Sequence, residues 1–123
     1  MTIDLYNSET PLLAYAITDE KSNDFIGTTG FNLLQDNEIE VFYALLPNFW
    51  GKGLATEILN NLTEYVCKNF NYRTVVAPIT RRNSSSIRVA EKNGFLNYGL
   101  KEDPNYKDLI FIFKKEKTEH KTV

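Results

Sequence analysis

The chain has one cysteine, Cys67, and one histidine, His120, in 123 residues. A single thiol excludes an internal disulfide framework and a four-cysteine zinc site, and no metal is expected. Cys67 falls near the apolar positions of a helical stretch and reads as a packing residue rather than an acyl-carrying nucleophile. His120 lies in the tail KKEKTEHKTV, which argues against histidine base catalysis and a serine–histidine triad. No apolar run approaches the ~20 residues of a membrane span, so no membrane partner is expected. The start, MTIDLYNSET, lacks the basic-then-apolar pattern of a signal peptide, and a cytoplasmic protein is the expectation.

Excess charge is scarce too: the formal net charge is −2, which argues against a general nucleic-acid binder. The charge is nevertheless uneven. Residues 68–92 carry Lys68, Arg73, Arg81, Arg82, Arg88 and Lys92 against Glu91, a local +5 in a chain whose remainder sums to −7. A compact polyanion suits such a zone better than a long nucleic acid, and a solvated charged face is the plain alternative.

What is present is an alternation of element types. Leu12 to Thr18, Phe25 to Leu34 and Ile39 to Leu46 read as strands separated by 2–6-residue polar turns, hence antiparallel neighbours. Leu54, Ile58, Leu59, Leu62, Tyr65 and Val66 fall at helical spacing. Thr74 to Ile79 is a β-branched run, and strand–helix–strand implies a right-handed crossover to a parallel neighbour. A shorter helix is expected from Ser84 to Asn93, capped by Asn83 or Ser84 and stopped by Gly94. Phe95 to Leu100 and Leu109 to Phe113 complete an α/β fold with a mixed, mostly antiparallel sheet and one βαβ crossover. One domain over 1–123 is expected, with an irregular start over 1–11 and a solvated tail over 114–123.

The turn PNFWGKGLATE, residues 47–57, enters the first helix with two glycines flanking Lys52. It fails the P-loop pattern, having Gly53 where Ser or Thr is required, and it fails G-x-G-x-x-G at Thr56. Backbone N–H groups of Gly51, Lys52, Gly53, Leu54 and Ala55 nonetheless lack intrahelical partners, and the helix dipole adds positive potential. Thr56 adds a hydroxyl. An anion site and a plain tight turn both remain open on this stretch alone.

A second block settles the comparison. Asn48-x-x-Gly51-x-Gly53 resembles the Q/R-x-x-G-x-G/A pyrophosphate loop of the GNAT superfamily of N-acetyltransferases, with Asn48 at the usual Gln or Arg. Asn83 to Phe95 resembles the N-x-x-S-…-E-K-x-G-F segment of the branch containing ribosomal-protein N-terminal acetyltransferases. The resemblance spans about residues 12–113 and implies acetyl-CoA as co-substrate. It implies a pyrophosphate on Gly51, Lys52, Gly53, Leu54 and Ala55, with Thr56 alongside. It implies a pantetheine arm in a splayed cleft between strands 39–46 and 74–79, hydrogen-bonded to the backbone of Leu45 and Leu46. By the resemblance Asn83 and Ser86 are expected near the arm and thiol as cofactor-binding and catalytic residues, hydrogen-bonding pantetheine or protonating the leaving thiolate, and Arg81, Arg82 and Lys52 are candidate phosphate contacts.

By the same resemblance Glu40 is the expected catalytic base, with Glu38 on the same strand face as a substitute. Alternation places Glu40 and Phe42 on one face and Val41 and Tyr43 on the other. Tyr98, Tyr106, Tyr43 and Tyr72 are each candidate general acids. Asn105-Tyr106-Lys107-Asp108 loosely resembles a W-x-D segment of the branch, with an acceptor-contact role implied. An α-amine of pKa ~7.7–8.0 is already ~10–15% neutral at pH 7, whereas a lysine of pKa ~10.4 is not, so a lightly equipped site suits the former.

The implied function is acetyl-CoA-dependent N-acetylation of a small-molecule or peptide amine. The alternative is a catalytically weak acyl-CoA-binding or assembly module, because the usual first strand and helices that wall the acceptor site are mostly lacking. That shortage leaves residues 12–18 as an expected exposed sheet edge, and with it a homodimer.

Overall fold

The computed structural model describes residues 2–7 and 13–117. They form β1 (Thr2–Asn7), β2 (Leu13–Thr18), β3 (Phe25–Leu33), β4 (Glu38–Leu45), a 3-10 turn (Pro47–Phe49), α1 (Leu54–Asn69), β5 (Thr74–Thr80), α2 (Ser84–Lys92), β6 (Leu96–Lys101) and β7 (Ile110–Glu116). The seven strands make one sheet in the order β1-β2-β3-β4-β5-β7-β6. Only β4 and β5 run parallel among neighbours, so the mixed, mostly antiparallel sheet with a βαβ crossover is as expected.

Two boundaries differ from the sequence reading. The start is not irregular throughout: β1 pairs antiparallel with β2 from Thr2↔Thr18 to Asn7↔Ala14. An unpaired strand edge exposes backbone donors and acceptors, and the preceding segment satisfies them here. The expected edge is therefore covered over residues 14–18, which removes the ground on which a dimer was expected. Five residues separate β1 from β2. At the other end the sheet continues through Lys114 to Glu116, and the rest of the expected tail, from residue 118, lies outside the described residues.

Period-2 burial organises the sheet. Ile39 and Val41 are buried beneath the helices, whereas Glu38, Glu40 and Phe42 face the other side and are half-buried. On α1 the buried positions are Ile58, Leu59, Leu62 and Val66; the last three join the cluster of Phe31, Val75 and Phe113, and Ile58 joins a smaller one with Ile17 and Ile26. Ala90 of α2 and Phe95 complete that cluster. Cys67 is exposed, contrary to expectation, because one further helical step from Val66 carries it off the stripe.

The sheet opens where β4 and β5 separate. Their ladder comprises Glu38↔Thr74, Ile39↔Val75 and Glu40↔Val76. Beyond it, β4 stays with β3 as far as Gly27↔Leu45, and β5 stays with β7 as far as Thr80↔Ile110. Pro78, which cannot donate to a ladder, stands in the part of β5 that has no β4 partner.

Gly27 holds the far end of β4 close. A Cβ at Gly27 would run into the Ala44 carbonyl oxygen and come within 2.9 Å of Leu45 Cα. Gly27→Ala must push β4 outward, and a loss of about 1–3 kcal/mol in unfolding free energy is expected. A urea titration reads this as a lower midpoint, and an unchanged midpoint would count against the close approach.

Candidate functional site

Where the strands part, a cavity of about 640 Å³ lies between the end of β4 and the two helices. Tyr43, Ala44 and Leu45 form its strand wall; Phe49, Trp50, Gly51 and Gly53 supply the turn. Ala55 and Thr56 open α1 onto it, and Asn83, Ser85, Ser86, Arg88, Val89 and Lys92 present the near face of α2. The two helices are fastened together beside it. Asn93 Nδ2 donates to the Thr56 carbonyl at 3.2 Å and to the Val89 carbonyl at 3.0 Å, and Lys115 Nζ donates to the Asn93 carbonyl at 2.8 Å.

The glycine turn is shaped by its dihedrals. Gly51 and Gly53 have φ of 73° and 76°, a left-handed conformation that side chains disfavour. Gly53 is the residue before α1 and makes no side-chain cap. The first amide to donate inward is that of Glu57, to the Gly53 carbonyl at 3.4 Å. Among the described residues, the N–H groups of Gly51 through Thr56 have no protein acceptor, so the helix start presents a run of donors beside the cavity. A polyphosphate or pyrophosphate fits such a cradle, with Arg88 and Lys92 supplying charge.

Not every expected contact lies there. Leu46 is outside the lining: its N–H donates to the Ile26 carbonyl at 2.8 Å, and its carbonyl accepts from Phe49 N–H at 2.9 Å. Both groups are engaged by the turn itself. The Leu45 carbonyl accepts the Trp50 indole N–H at 2.9 Å. Leu54 turns into a small core with Ile17, Ile26 and Ile58, and Lys52 Nζ lies 5.7 Å from the centre of the Phe49 ring, outside the lining. Arg81 and Arg82 do not face the cavity either; both grip Asp108, at 3.0 and 3.1 Å. Arg88 and Lys92, which the sequence reading did not single out, line the cavity instead. Their signal was present in the stripe Ser85, Arg88, Val89, Lys92, which recurs every three to four residues on one helix face.

The tyrosines separate by location. Tyr43 lines the cavity and holds its proton above the ordinary phenol range because burial disfavours the phenolate, an effect that Ser86 partly offsets. Ser86 is fixed in turn by Asn83, whose Oδ1 accepts the Ser86 N–H at 3.2 Å and caps α2. Tyr98 is exposed on the edge strand β6 beneath Lys114. Tyr72 is buried and interacts with Cys67. Tyr106 belongs to the segment between β6 and β7 and feels the charge of Glu40.

Glu40 lies outside the cavity, on the opposite face of β4, at the last β4–β5 pair. It therefore sits at the fork of the two strands. Partial burial raises its carboxyl above the usual range, and the neighbouring charge of Asp103 adds to that, against a hydrogen bond with Asn32 that lowers it. Beside it, residues Glu102 to Leu109 line a second concavity of about 640 Å³. Glu38, the substitute base, is committed elsewhere: Lys114 Nζ donates to its Oε2 at 2.8 Å. No group of three or more potential metal ligands occurs among the described residues.

Known proteins share both the sequence and the shape. The model of the acetyltransferase (GNAT) domain matches residues 2–96. The chain is 31% identical over 91 residues to the uncharacterized N-acetyltransferase p20 of Bacillus licheniformis, covering 72% of this chain and 51% of that protein. It is 26% identical over 90 residues to the uncharacterized N-acetyltransferase YoaA of Bacillus subtilis, again 72% and 51%. The chain thus spans about half the length of these relatives. Ribosomal-protein-S5-alanine acetyltransferase from Vibrio fischeri superposes with a TM-score of 0.76 at 20% identity, over 86% of this chain and 62% of that one. A spermidine N-acetyltransferase SpeG variant from Vibrio cholerae gives 0.75 at 15% identity, over 86% and 66%; both likenesses are of fold.

Proposed function

This chain belongs to the GNAT acetyltransferase family, and from that premise we propose that it transfers the acetyl group of acetyl-CoA to the nitrogen of a primary amine on a small molecule or a peptide. The observation that carries this reading is the fork between β4 and β5. A cavity with a donor-rich helix start opens on one face of β4, and a half-buried carboxylate stands at the fork on the other.

The cavity residues fit coenzyme A. The amides of Gly51 to Thr56 with Arg88 and Lys92 would hold its phosphates, and the unpaired edge of β4 beyond Glu40 offers backbone groups to an extended arm. Bound acetyl-CoA supplies an activated acyl group as a thioester. Glu40 takes the proton that the amine must lose, and its raised affinity for protons suits it to that task near neutral pH. Tyr43, kept protonated by burial, offers a proton on the cavity side. Asn83 acts at one remove, by fixing Ser86. The two superposed enzymes act, by their names, on an alanine and on spermidine, which accords with an amine acceptor.

A second reading is favoured by the five residues between β1 and β2: a cofactor-binding module without an acceptor wall. A thiol-release assay with acetyl-CoA and a panel of α-amines, polyamines and peptides separates the two. Turnover of at least one amine is expected; tight CoA binding with no turnover across the panel would favour the module.

A further inference from the structure

The segment between β6 and β7 carries Asp103, whose charge reaches Glu40, and one carboxylate ties the segment down. Asp108 receives Arg81 Nε at 3.0 Å on Oδ1 and Arg82 Nε at 3.1 Å on Oδ2. Its Oδ1 also accepts the Leu109 N–H at 2.8 Å, and the Arg81 N–H donates to the Leu109 carbonyl at 3.0 Å. An isolated exposed ion pair holds little. Here a single carboxylate gathers three donors, and a backbone hydrogen bond runs alongside. The Leu109 N–H first, and then the two guanidinium groups, hold the Asp108 carboxyl below its ordinary range, so it stays anionic throughout the neutral region.

Both arginines immediately precede Asn83, the cap of α2 and part of the cavity wall. The clamp therefore joins the acceptor side of the fork to the cofactor side. We propose that Asp108 is a positioning residue: by bridging Arg81 and Arg82 it holds the 102–109 segment against the start of α2, so that Asp103 and Tyr106 face Glu40. This rests on the reading of Glu40 as the base.

The groups around Glu40 fix the sign of the effect. Asn32 approaches from β3, Asp103 and Tyr106 from the clamped segment, and Glu38 shares its strand face but is paired with Lys114 of β7. Releasing the segment lets water reach Glu40 and withdraws the like charge of Asp103. Both changes lower the proton affinity of Glu40. Asp108→Ala is thus expected to move the acid limb of kcat/KM to lower pH. It is also expected to raise the KM for the amine about tenfold, by loosening the acceptor side. The Kd for CoA stays unchanged, because Arg88 and Lys92 are untouched. Asp108→Glu, which keeps the charge, restores the acid limb, whereas Asp108→Asn does not.

The same shift is readable without turnover, as the titration of the Glu40 carboxyl carbon by NMR in wild type and Asp108→Asn. Absence of acetyl transfer by the wild type would overturn the proposed function, while this titration still decides the role of Asp108. An Asp108→Asn protein whose Glu40 titrates as in wild type would overturn the positioning role.

Discussion

Glu40→Gln is expected to lower kcat/KM for amine acetylation by about 10²–10⁴-fold, the range that a positioned general base contributes. The same substitution should leave CoA affinity intact, since Glu40 lies outside the cavity that faces α1 and α2. It should also stabilise the fold at neutral pH. Burial, and then Asp103, raise the folded-state pKa of Glu40. A carboxyl so shifted contributes stability that is fully present below its unfolded pKa and is lost as pH rises through its folded value. At pH 7 the ionised Glu40 is therefore a cost to folding, and the neutral glutamine amide removes it. The melting temperature of Glu40→Gln should exceed that of wild type at pH 7, with the gap closing below about pH 4. In wild type the acid limb of kcat/KM should lie above the ordinary glutamate range. Full activity in Glu40→Gln would eliminate Glu40 as the base.

Reversing charge on α2 is expected to have the second largest effect. Arg88→Glu combined with Lys92→Glu replaces two cations facing the cavity with two anions. Two charge-assisted contacts at ~1.5 kcal/mol each correspond to a rise of about 100-fold or more in the Kd for CoA. Calorimetry at two ionic strengths tests this: wild-type affinity should weaken with salt, and the variant should show a flatter dependence. With saturating acetyl-CoA the turnover number should change little, because phosphate contacts are made equally in ground and transition states. A Kd within about threefold of wild type would move the phosphate site away from α2 and leave only the amides of the turn.

Local pattern made much of this fold legible. The alternation in IEVFYALL placed Glu40 and Phe42 on one face and Val41 and Tyr43 on the other; which face is buried came from the structure. The helical spacing of Ile58, Leu59, Leu62 and Val66 marked the buried stripe of α1. Asn83 was readable as a cap because a short polar side chain ahead of a helix has one obvious use, to accept a free N–H. Of the expected cofactor contacts, Leu45, Gly51, Gly53, Ala55, Thr56, Asn83 and Ser86 converge on one cavity.

The residues that the fold places elsewhere share a physical origin. Arg81 and Arg82 looked like phosphate ligands because their partner, Asp108, is remote in sequence and close only when β5 pairs with β7. Leu46 looked available because nothing in the local sequence shows that Ile26 and Phe49 will engage its backbone. The start looked irregular because a strand at a sheet edge gains its stability from the neighbour it pairs with, here β2, rather than from its own pattern.

The sequence by itself determined the element types from β2 onward, the alternating faces of β4, the buried stripe of α1, and the donor-rich turn. These depend on periods of 2 and 3.6 residues and on glycine dihedrals, which are properties of a few consecutive residues. Only the tertiary structure decided where β4 and β5 part, which cations face the cavity, and what surrounds Glu40. Those outcomes depend on strand order and on contacts between residues far apart in the chain, such as Lys114 with Glu38, for which a one-dimensional pattern carries no distance.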